Sequence, residues 1–156
     1  MSDKQQDAIV ILKLYELRRE ETFRRARAWF ASEFNPQSAE EIVNLMRGGY
    51  HESAQYRMVT SYWDTAASLV NNGGIDEKMF LEANTEHMAV YAKLEPFLAD
   101  VRAIFGVPHY LMQLERLVMR VPDAKDYLPK LRQLLKRWTE VEERNRAEVE
   151  REPGIL

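Results

Sequence analysis

The chain has 156 residues, of which 46% are hydrophobic and 30% charged, with a formal net charge of −3 and no cysteine. That length and balance suit one folded domain of ordinary size. The lack of cysteine excludes disulfides, thiolate catalysis and cysteine-ligated zinc or iron–sulfur sites, and suits a reducing compartment. The acidic balance argues against a nucleic-acid binder, because such domains are usually basic overall.

The N-terminus is polar, and its apolar run, residues 8–12, is far shorter than the roughly 20 residues a membrane helix needs. Neither a secretory signal nor a membrane segment is expected, and a cytoplasmic location follows as the default. The charge is uneven: residues 13–27 and 125–146 are rich in Lys and Arg, while residues 50–107 are acidic.

Residues 3–34 contain no glycine or proline, and apolar side chains recur at helical spacing through Ile11, Leu14, Tyr15 and Leu17, then Ala26, Trp29 and Phe30. This predicts one long helix. Glu20–Arg24 and Glu21–Arg25 stand acid-before-base four apart, the favourable order on a helix face. Asn35 and Pro36 end the helix, since proline disfavours helical backbone just before it.

Ser38 and Glu41 form a capping box for a short helix edged by Ile42, Leu45 and Met46, which Gly48 and Gly49 stop. The third helix, residues 50–71, carries the cleanest stripe: Tyr56, Val59, Trp63, Ala66 or Ala67, and Val70. After a turn through Gly73 and Gly74, Asp76 caps a fourth helix with Phe80, Ala83, His87, Val90 and Leu94 on one side. Pro96 either kinks that helix or opens a new one, and Phe97, Val101, Ile104 and Phe105 continue the face to Gly106.

Pro108 opens the next helix, striped by Tyr110, Leu114, Leu117 and Val121 and broken at Pro122 and Asp123. The last helix starts near Asp126 or Pro129, with Leu128, Leu131, Leu134, Leu135, Trp138 and Val141 as its stripe. Residues 142–156 read as an exposed helical extension and a frayed tail. No period-two alternation marks a strand. The expected fold is all-α: a single domain over residues 1–156, a bundle of six to seven mostly antiparallel helices with a long first and a long last helix.

The histidines are His51, His87 and His109, and none has the glutamate three residues earlier that di-iron bundles use; Gly48, Asn84 and Gly106 stand there instead. No metal or cofactor is expected. His87, with Trp63 and Tyr91, marks a candidate interhelical pocket for a small molecule; a core histidine bonded to a carboxylate or carbonyl is the commoner outcome. The turn around Gly73 places Ser68, Val70 and Met79 where a calcium loop needs oxygen ligands, so it reads as a glycine-ended helix followed by an Asp-capped one.

No phosphate-cradling glycine loop and no serine elbow is present. Glu82 and Glu86 share a helix face four apart. Glu115 lies at the core edge and, if buried, needs Arg57, Arg102 or Arg116 beside it. Arg18, Arg24 and Arg25 near one end, and Lys136 and Arg137 near the other, are candidate contacts for an anion, a nucleic acid or an acidic partner. A solvated face, or contact with the acidic middle of the same or another chain, is the simpler outcome.

Tyr62-Trp63-Asp64, the Gly-Gly turn, Ile75-Asp76 with Phe80, Leu94-Glu95-Pro96-Phe97, Arg102 and the helix over residues 110–118 together resemble a bacterial helical domain family of unknown function, over the middle third to half of the chain. Members of that family often follow an N-terminal membrane segment, which is not expected here. The resemblance implies a helical fold and carries over no catalytic residue. The leading expectation is a non-enzymatic scaffold working by protein contact and self-association; the others are a small-molecule binder or enzyme at Trp63, His87 and Tyr91, and anion or nucleic-acid binding through the basic ends.

Overall fold

The computed structural model describes residues 3–49 and 51–151. The chain folds as α1 Asp3–Arg18, α2 Glu21–Ser32, α3 Ala39–Arg47, α4 His51–Asn71, α5 Glu77–Ala83, α6 Glu86–Phe105, α7 Met112–Met119 and α8 Ala124–Arg151. The all-α class is as the sequence predicts, and the described residues include no strand. The helix count exceeds the expected six or seven because two expected helices are each divided. The expected start of the third helix at residue 50 and the tail from residue 152 lie outside the described residues.

The first division falls at Glu20. Its carboxylate accepts hydrogen bonds from the backbone N–H groups of Thr22 and Phe23, at 3.0 and 2.9 Å, and so caps α2. The same two bonds hold the Glu20 carboxyl below its ordinary range. The expected Glu20–Arg24 pair gives way to this cap, while Glu21 does pair with Arg25. Turning the chain here lets Leu14 on α1 and Phe23, Ala26 and Phe30 on α2 all reach the core. Tyr62 on α4 donates to the Leu14 carbonyl at 2.6 Å, and Arg27 on α2 donates to that of Arg18 at 3.0 Å, tying down the end of α1.

The second division falls at Asn84, whose backbone is extended while its side chain donates to the Phe80 carbonyl at 3.1 Å. That bond satisfies an acceptor the ended helix leaves free. Glu82 and Glu86 therefore sit on different helices and share no face: Glu82 lies 3.9 Å from Lys78, and Glu86 turns to Arg27.

Pro96 does not separate two helices; α6 runs through it from Glu86 to Phe105. Proline at this point strips the Ala92 carbonyl of its helical donor, and Arg132 of α8 supplies one at 3.0 Å while also pairing with Glu95. Similarly α8 begins at Ala124, two residues before Asp126, the earlier of the two expected starts, and contains Pro129. Pro108 does not open α7: the preceding turn ends in Leu111, a left-handed residue at φ 54°, and Asp64 of α4 caps the helix by accepting from Leu114 N at 2.9 Å. At α3, Ser38 Oγ accepts from Glu41 N at 3.2 Å, but Glu41 accepts from Gln37 N rather than from Ser38 as a strict capping box requires.

The core forms around α4, whose Tyr56, Val59, Trp63, Ala66 and Ala67 are fully buried. Helices α2 and α7 pack on α4, and α6 packs between α3 and α8. Lys93 of α6 locks α2 in place: its Nζ donates to the carbonyls of Phe30, Ala31 and Phe34 at 2.7, 2.9 and 2.9 Å. The Phe30 and Ala31 carbonyls belong to the negative end of α2, where a cation is favoured, and Phe34 follows just after it.

Candidate functional site

Trp63 and His87 meet in the core. Their ring centroids are 5.9 Å apart, the Phe80 ring stands 5.3 Å from that of His87, and His87 is only 1% exposed. Among the described residues neither imidazole nitrogen has a hydrogen-bond partner, nor does Trp63 Nε1, and none of them supplies the carboxylate or carbonyl expected for a core histidine. Burial pulls the His87 imidazole down to about 4, so at neutral pH it is an uncharged packing group.

Tyr91, the third residue of the expected pocket, is also buried but turns elsewhere: its hydroxyl donates to Glu115 Oε2 at 3.1 Å. Of the three arginines proposed for Glu115, Arg102 takes the place, with Nη1 3.2 Å from Oε2. Arg102 Nε also donates to the Tyr110 carbonyl at 2.8 Å, and the Tyr110 hydroxyl lies 2.7 Å from that of Tyr56. These side chains join α4, α6 and α7 through polar contacts. Burial raises the Tyr56, Tyr91 and Tyr110 phenols above their ordinary value, so they serve as neutral hydrogen-bonding groups.

The basic candidates scatter. Arg18 lies over the Trp63 ring at 5.5 Å and the Tyr15 ring at 5.6 Å, so it belongs with the aromatic cluster. Arg24 and Arg25 are exposed on α2, and Arg25 is paired with Glu21. Lys136 edges a cleft of about 150 Å³ with Lys93, Pro96, Phe97, Arg132 and Leu135. Arg137 is exposed on α8. Two neighbouring bases reach the acidic middle of the chain: Arg27 clasps Glu86 through Nε and Nη2, and Arg132 pairs with Glu95. Among the described residues no group of three His, Asp or Glu side chains could hold a metal ion.

The largest departure from the expected core lies on α8. Leu128 is fully buried and Leu131 and Leu135 partly so. Tyr127, Leu134, Trp138 and Val141, however, are 46%, 41%, 59% and 47% exposed. Periodicity cannot separate these two sets, because both recur at helical spacing. They differ by roughly a quarter turn about an axis with 3.6 residues per turn. Among the described residues no helix is long and apolar enough to cross a membrane.

Neither the curated proteins nor the solved structures offer a match to the chain. The model of the family described as "Domain of unknown function (DUF4760)" matches residues 5–121, from within α1 to the residue pair after α7. With most of its length covered by that match, the chain belongs to the DUF4760 family.

Proposed function

We propose that the protein is a non-enzymatic helical scaffold that acts through protein contact, and that its first partner is a second copy of itself. The outer face of α8 supports this most directly: a tryptophan, a tyrosine, a leucine and a valine share one flank of a helix whose other flank is already packed. Large aromatic side chains left in water at that density mark contact surfaces. A cytoplasmic setting is part of the proposal, and the cysteine-free composition suits it.

Association makes the folded state concentration-dependent by mass action. The wild-type melting temperature is therefore expected to rise with protein concentration. Trp138→Glu places a charge in the contact and should melt at a temperature independent of concentration, with its far-ultraviolet helix signal intact. A wild-type melting temperature that stays constant from low to high micromolar would sink the proposal.

A second reading draws on the three unpartnered nitrogens of Trp63 and His87, which could hold a small polar ligand. A thermal-shift screen tests it. A ligand whose shift survives His87→Leu unchanged is not held by that ring.

A further inference from the structure

We infer, resting on the self-association proposed above, that two copies pair through α8 as a parallel, in-register, two-stranded coiled coil. Tyr127, Leu131, Leu134, Trp138, Val141 and Asn145 succeed one another at alternating intervals of four and three residues. That is the heptad rhythm: Leu131, Trp138 and Asn145 take the a positions, and Tyr127, Leu134 and Val141 the d positions. Leu128 and Thr139, which are buried, and Arg132, which reaches Ala92 of α6, lie on the neighbouring flank. Leu131 packs in part on the core, and the rest of the seam is open while α8 remains docked on its own chain. It also lies beyond the residues matched by the family model.

Charge fixes the direction. The g positions beside the seam are Lys130, Arg137, Arg144 and Arg151, all basic, and Glu142 stands at an e position. In a parallel pair each g side chain faces an e side chain of the other helix, so Arg137 meets the second copy's Glu142, twice by symmetry; Glu142 is exposed, and within its own chain its charge also acts on Lys93. An antiparallel pair sets g against g and drives four basic side chains toward four others, which is repulsive. Among the described residues Arg137 and Arg144 form no ion pair within their own chain. Asn145 adds register: a polar side chain at a single a position is satisfied when it faces its own counterpart, which a parallel, unshifted pair provides.

Because the chain has no cysteine, a single introduced thiol reports alone. In the proposed pair Val141 faces the second copy's Val141, and its exposure makes Val141→Cys tolerable to the fold. Val141→Cys should convert to a disulfide-linked dimer under mild oxidation, and Glu143→Cys, on the far side of the helix, should not. A wild-type dimer in solution whose Val141→Cys form links no faster than Glu143→Cys overturns the parallel geometry and leaves self-association standing. A wild-type chain that is monomeric at every concentration overturns both.

Discussion

Acidification from pH 6.5 to 4 is expected to cost the fold about 3 kcal/mol through His87 alone, and His87→Leu should abolish that loss. Burial lowers the imidazole from 6.5 to about 4 in the folded protein. As pH falls through 6.5 the unfolded chain takes up a proton that the folded chain refuses until near 4. The unfolded state therefore binds more protons over that window, so stability drops with pH and is fully present above 6.5. In a chain of this size the loss corresponds to a fall of about 10 °C in melting temperature. The leucine variant should also be more stable than wild type at neutral pH by about 1 kcal/mol, because two unpartnered polar atoms leave the core. Melting curves of the two proteins across this range decide it: equal acid slopes would clear His87 of the effect.

Lys93→Met is expected to destabilise the protein by about 2–4 kcal/mol. The methionine keeps much of the apolar stem but removes the ammonium whose three N–H bonds reach Phe30, Ala31 and Phe34. Burial lowers this ammonium to about 8, and the three carbonyls repay part of that by using every donor it has; a neutral amine has only two. Without it, carbonyls at the end of α2 lose their partner, and the Phe30–Phe34 aromatic contact loses the cation beside it. Urea unfolding should show a lower midpoint with an unchanged slope. A midpoint within error of wild type would show that water satisfies those carbonyls equally well.

The fold was largely legible because most stripes have one explanation. Tyr56, Val59, Trp63 and Val70 recur at helical spacing and all face the centre. What escaped was decided by single side chains acting across or against the local pattern. Glu20 has the same spacing to Arg24 as Glu21 to Arg25, yet it caps a new helix instead of pairing. Asn84 and Leu111 adopt non-helical backbones that residue type alone does not require. Pro96 is tolerated inside α6 because Arg132, 36 residues along, replaces the lost donor, a long-range contact no local window contains.

The candidate site was less legible than the fold. Trp63 and His87 do meet, but Tyr91 turns to Glu115, and Arg18 joins the aromatic cluster instead of an anion surface. On α8 the obstacle was different. A packed stripe and an open seam share the same period, and only the placement of α6 and α2 shows which residues are already covered.

The mass of the wild-type protein in solution, measured by light scattering over a wide concentration range, tests the central claim most directly. Self-association through α8 predicts a mass approaching twice 18.4 kDa as concentration rises, with Trp138→Glu remaining at 18.4 kDa. A wild-type mass of 18.4 kDa at the highest concentration attainable would contradict it.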